Sequence, residues 1–113
     1  MGMGRRKSMK KLKVIICPAE REPYVTNVSD TLEALQKAVG GYIEAVTVPE
    51  GVAVLCNEEG RLIELPKNRS FFLSGIRGEC LICGVDGEKF ASLSEPECGK
   101  LLKLCKDRFR KEK

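Results

Sequence analysis

Six cysteines are the residues of this 113-residue chain with the widest chemical repertoire, and histidine, the usual companion of a catalytic thiol, does not occur. Cys80-x-x-Cys83 has the spacing of a zinc knuckle or a dithiol redox motif. A structural zinc site needs four ligands, and thiolates held at ~2.3 Å from the metal lie only about 4 Å from one another. Cys98 and Cys105, if they share a helix, are roughly 10 Å apart along its axis, so that helix supplies one ligand and not two. Leu81-Ile82 favours a strand, in which positions three apart face opposite sides. Cys80 also opens no helix, as a thioredoxin-like arrangement requires. No metal and no cofactor is therefore expected, and Cys80 and Cys83 are the pair that comes nearest to a metal site.

Other chemistry is equally sparse. Without histidine there is no Ser-His or Cys-His dyad and the commonest general base is missing. The carboxylates Glu58-Glu59 adjoin Gly60 and read as the solvated tip of a hairpin. No Gly-x-Gly-x-x-Gly or Gly-x4-Gly-Lys-Ser/Thr loop is present, and Gly40-Gly41 ends a helix where a phosphate cradle would begin one. The expectation is a protein that is not an enzyme.

Charge offers a different possibility. Residues 1–13 carry six Lys/Arg and no acid, and residues 100–113 carry seven against Asp107 and Glu112, whereas residues 14–99 hold seven Lys/Arg against fourteen Asp/Glu. The net charge of +4 thus averages two basic ends and an acidic body. Basic ends attract phosphate, which makes Lys103, Lys106 and Arg110 candidate anion contacts. The acidic body and the absence of tryptophan argue against a base-stacking platform.

These groups are positioned by elements that the sequence marks clearly. Leu12 to Cys17 is rich in β-branched residues and stops at Pro18, and Tyr24 to Val28 follows as its hairpin partner. Ser29-Asp30 offers an N-cap, with Glu33 completing a capping box, for a helix over 31–39 that lays Leu32, Leu35 and Val39 on one face. Extended segments follow at 42–48, 52–57, 61–65 and 79–85, and Asp86-Gly87 is a hairpin signal with 89–93 as the returning strand. Ser94-x-x-Glu97 caps a final helix whose Cys98, Leu101, Leu102, Cys105 and Phe109 form one apolar stripe. The order β-β-α-β-β-β-β-(β)-α implies an α+β domain over 11–110, a mixed and largely antiparallel sheet with two helices, preceded by a flexible basic tail at 1–10. Its opening hairpin, helix and second hairpin are in the order of the β-grasp plan. No apolar run approaches the ~20 residues of a membrane span, and no signal peptide is evident. Cysteines set among apolar neighbours fit reduced core thiols. A cytoplasmic protein is expected.

The runs Lys13-Val14-Ile15-Ile16-Cys17-Pro18, Thr31-Leu32-Glu33-Ala34-Leu35-Gln36 and Val39-Gly40-Gly41-Tyr42-Ile43-Glu44 resemble the signature of a family of small proteins of bacteria, phages and conjugative elements, known only as a domain of unknown function. Cys56-Asn57-Glu58-Glu59-Gly60, Leu65-Pro66-x-Asn68-Arg69 and Leu81-Ile82-Cys83-Gly84 extend the resemblance over roughly residues 12 to 100. It implies a small α+β protein of a mobile element or its host, and no activity or cofactor. Among its motif residues, Tyr42, Glu44, Asn57, Asn68 and Arg69 are candidate binding residues, to be weighed against side chains that merely hydrogen-bond a turn. The leading expectation is a non-enzymatic accessory factor that binds a host or element-encoded protein. A small-ligand binder, nucleotide-like in its target, built around Tyr42, Asn57 and Asn68 is the first alternative, and nucleic-acid binding through the basic termini the second.

Overall fold

The computed structural model of the protein describes residues 10–48, 51–60, 62–70 and 75–111. The expected basic tail at 1–10 lies outside these residues except for Lys10, as does the apolar run Phe71-Phe72-Leu73.

Three hairpins build the sheet. β1 (Lys11–Cys17) pairs with β2 (Tyr24–Ser29), β3 (Ile43–Val48) with β4 (Val52–Asn57), and β5 (Cys80–Asp86) with β6 (Lys89–Ala91). The last hairpin turns at Gly87-Glu88, where Gly87 takes φ 66°, a conformation that glycine adopts without steric cost. The strands lie in the order β2-β1-β5-β4-β3, with β6 continuing β1's side of β5. Every pairing between these strands is antiparallel, so the parallel component that a mixed sheet would contain is absent among the described residues.

Two helices cover opposite faces of this α+β sheet. α1 (Leu32–Val39) places Leu35 and Val39 on a face formed by Leu12, Val14, Ile16, Ala53, Leu55, Leu81 and Cys83. α2 (Glu95–Lys111) places Cys98 and Cys105 on the other, formed by Ile15, Cys17, Val52, Val54, Cys56, Cys80 and Ile82. Strands buried on both faces have apolar residues at consecutive positions, which explains the unbroken Val52-Ala53-Val54-Leu55-Cys56 and Cys80-Leu81-Ile82-Cys83. Burying each such aliphatic side chain contributes about 1.5–3 kcal/mol. The β-grasp likeness extends only to the opening order, because here the second helix closes the face that α1 leaves open.

Local signals fix the helix ends. α2 begins with a reciprocal capping box: Glu97 N donates to Ser94 Oγ at 3.3 Å and Ser94 N to Glu97 Oε1 at 3.1 Å. α1 is capped one residue later than Asp30, by Thr31, whose hydroxyl accepts from Ala34 N at 3.1 Å. Leu32 then becomes the first helical residue. Side chains tilt toward a helix's N-terminus, so Leu32 reaches past the sheet and is 63% exposed instead of joining Leu35 and Val39. At the other end Gly40, at φ 81°, and Gly41 both donate to Gln36 O, a Schellman closure.

Residues 62–65 depart from the extended reading. Ile63 N donates to Glu59 O at 3.0 Å and Leu65 N to Gly60 O at 2.9 Å, with Glu64 left-handed at φ 55°. This is a single helical turn closed by the same six-to-one bond as α1.

Candidate functional site

The segment after that turn is a structural clasp. Asn68 is fully buried, and its amide nitrogen donates to Cys17 O and Gly78 O, both at 2.8 Å. Its side-chain oxygen accepts from Ser70 N at 3.0 Å. Both amide hydrogens are thereby committed, and the end of β1 is tied to the entry of β5. Arg69 lies 3.7 Å over the Phe109 ring and donates from Nη2 to Phe109 O at 3.0 Å. It satisfies a terminal carbonyl of α2 and places a cation at the negative end of the helix dipole. The Leu65-Pro66-x-Asn68-Arg69 motif therefore has an internal explanation.

Asn57 occupies a different setting. At the end of β4 it turns toward α1, donating from Nδ2 to Val39 O at 3.3 Å and accepting at Oδ1 from Glu59 N at 2.8 Å. A Cβ on Gly41 would stand 2.9 Å from Asn57 Nδ2, so the second glycine of the pair is what lets the amide reach the helix end. One amide hydrogen of Asn57 has no partner among the described residues.

Asn57 lines a cleft of about 590 Å³ at this end of the molecule. One wall is Ala19, Glu20 and Arg21, which follow β1. A second is Val39 and Gly40 at the end of α1. The helical turn contributes Ile63, Leu65 and Pro66, and Gly78-Glu79 leads into β5. Leu65 packs so closely on Gly78, at φ 80°, that a Cβ there would lie 2.6 Å from Leu65 Cδ1. Arg77 Nη1 donates to Leu65 O at 2.9 Å and fixes the turn from beneath. On this held backbone Leu62 is 83% and Ile63 56% exposed. Arg21 and Glu79 face each other at 3.9 Å in an exposed pair, the kind that contributes little to stability.

The candidate residues are not brought to one place. Asn57 is at the cleft, Asn68 and Arg69 are in the clasp, and Tyr42 and Glu44 are exposed. Glu44 pairs with Cys56, which faces α2, whereas Asn57 faces α1. Tyr42 and Asn68 are not in the lining of the cleft that Asn57 borders, and the Asn68 amide is spent on backbone, so the three do not meet in that cleft. Lys103, Lys106 and Arg110 do share one side of α2 by their spacing, with Lys106 half-buried and Arg110 Nε paired with Glu22 at 3.3 Å.

The cysteines are all unbridged and buried. Cys80 lies on the α2 face and Cys83 on the α1 face, as strand alternation requires. Cys80 stands directly opposite Cys17 on one neighbour and Cys56 on the other. A hydrogen bond to the Cys17 thiol, with burial, holds the Cys105 thiol far above the ordinary range. Burial, aided by the Asp30 charge, pushes Cys83 up to about 11. Both shifts favour the neutral thiol at Cys83 and Cys105, the form that is the poorer nucleophile. Among the described residues no group of three or more Cys, Asp or Glu is placed to hold a metal ion, and no helix is long and apolar enough to cross a membrane.

Sequence reasoning missed most of the cleft. Its walls come from four separated segments, and the apolar run 62–65 imitates a strand. One available signal was Pro66, which commonly follows a left-handed helix termination by one or two residues.

No curated protein and no solved structure matches the chain. Residues 9–106 match the family described as a domain of unknown function (DUF3846), and the protein belongs to that family.

Proposed function

We propose that this chain is a non-catalytic binding protein that engages another protein at the cleft between the 59–64 turn, the end of α1 and the residues after β1. One observation carries the reading: Leu62 and Ile63 project into solvent from a turn whose backbone is fastened by Ile63 N, Leu65 N and Arg77. Adjacent exposed aliphatic side chains on a rigid support, beside a concave surface, are what an interaction site presents. The raised thiol pKa values of Cys83 and Cys105 and the missing histidine favour binding over catalysis. The resemblance to proteins of phages and conjugative elements supports a partner encoded by a mobile element or its host, and the reduced thiols support action in the cytoplasm.

The test is affinity capture from the encoding organism with the native chain and with the Leu62→Ser/Ile63→Ser variant, followed by titration of the purified partner. The native chain is expected to retain a partner that the variant loses, with affinity lower by at least about tenfold. Identical retention by both chains would refute the proposal, as would turnover of a substrate that depends on Glu58 or Glu59.

A further inference from the structure

The charged side chains that line the cleft are the carboxylates Glu20 and Glu79 and the guanidinium Arg21, with no lysine. Arg21 is paired with Glu79. The cleft also receives the C-terminal end of α1, where aligned peptide dipoles leave about half a negative charge. Only some of that charge is satisfied: Gln36 O and Lys37 O accept from the Gly40-Gly41 closure and Val39 O from Asn57. Glu20 is exposed on the opposite wall and has no ion pair among the described residues.

We infer that the occupant of this cleft is a basic, amphipathic peptide segment of the partner, with an aliphatic or aromatic side chain inserted beside Ile63, Leu65 and Val39 and an adjacent Lys or Arg directed to Glu20, Glu79 and the α1 terminus. This inference rests on the binding reading above and adds the chemistry of the partner. The apolar lining supplies the anchor pocket, while the carboxylates and helix end reward a cation and reject an acidic segment. A peptide accounts for more of the surface than a small amine does. A small molecule held within the cleft leaves Leu62, which is outside its lining, exposed, whereas a chain running across the mouth covers it.

The experiment is a selection of random heptapeptides on the full chain, followed by fluorescence anisotropy with the enriched peptides. Each peptide is titrated against the native chain, Leu62→Ser/Ile63→Ser and Glu20→Gln/Glu79→Gln, with thermal unfolding to confirm that each variant is folded. The expected pool has net positive charge and at least one large apolar residue. Its affinity falls at least about tenfold in each double variant and several-fold between about 50 and about 300 mM salt. A pool that is neutral or acidic, or that ignores Glu20→Gln/Glu79→Gln, overturns the basic-partner inference. If such a pool still needs Leu62 and Ile63, the cleft remains a binding site. If no enriched peptide depends on either pair, or none is enriched, both readings fall.

Discussion

Asn68 and Asn57 stand near the same end of the sheet, yet one closes its side of the molecule and the other borders an opening. On the α2 side, Asn68 joins Cys17 O, Gly78 O and Ser70 N, and Arg69 fastens the last turn of the helix through Phe109. On the α1 side, an eight-residue helix ends at Val39 and the space beyond is the cleft. The difference arises from helix length: seventeen residues of α2 reach the clasp, whereas α1 stops, its Gln36 and Lys37 carbonyls accepting from Gly40-Gly41 and its Val39 carbonyl from Asn57. Two polar motif residues of one type thus do unlike work. A buried amide with every hydrogen committed holds a fold together, and one at a cleft wall retains capacity to bind.

The largest expected effect separates the two. Asn68→Ala strands the buried Cys17 and Gly78 carbonyls and the Ser70 N-H, at about 1–3 kcal/mol for each unsatisfied group. A total loss of at least about 3 kcal/mol in chemical denaturation is expected. Asn57→Ala exposes its former partners to water through the cleft and is expected to cost about 1 kcal/mol. Equal losses would erase the distinction between clasp and cleft.

The α1 face can be examined by pH. The folded pKa of Cys83, about 11, lies above the ordinary value of 9.0, so folding favours the neutral thiol. Its contribution is complete below pH 9.0 and is lost as pH rises through about 11. A shift of this size corresponds to about 3 kcal/mol at most. Denaturant midpoints are expected to fall from pH 9 upward, and Cys83→Ala is expected to flatten that part of the profile. A midpoint rising in this range would contradict the assignment.

Smaller effects sharpen the comparison. Arg69→Met removes the Phe109 carbonyl bond and the cation over the ring, at about 1–2 kcal/mol, and amide exchange at the end of α2 is expected to quicken while α1 is unchanged. Leu62→Ser/Ile63→Ser, on exposed positions, is expected to alter stability by no more than about 0.5 kcal/mol. A larger loss would mean that these side chains belong to the core and not to a docking surface.

Much of the fold was legible because its signals are short-range. The Ser94-to-Glu97 box, the β-branched strands and the Gly40-Gly41 stop each depend on residues a few positions apart, and the element order follows from them. The 59–64 turn was not, since Leu62-Ile63-Glu64-Leu65 has the composition of a strand and its helical closure rests on a left-handed Glu64. The Thr31 cap shows the same limit at one residue's resolution, because Ser29, Asp30 and Thr31 are all competent caps. The motif residues were visible individually, but their partners were not: Asn68 meets Cys17 across 51 positions. Alternation did place Cys80 and Cys83 on opposite faces, where a period of two suffices.

The central claim is that the cleft, and not the basic side of α2, is where this protein meets its partner. Amide hydrogen exchange of the full chain, with and without the partner captured from its own organism, tests this most directly. New protection over residues 57–66, with 19–21 and 78–79, is the predicted result. Protection confined to α2 around Lys103, Lys106 and Arg110, with the 57–66 segment unchanged, would contradict it.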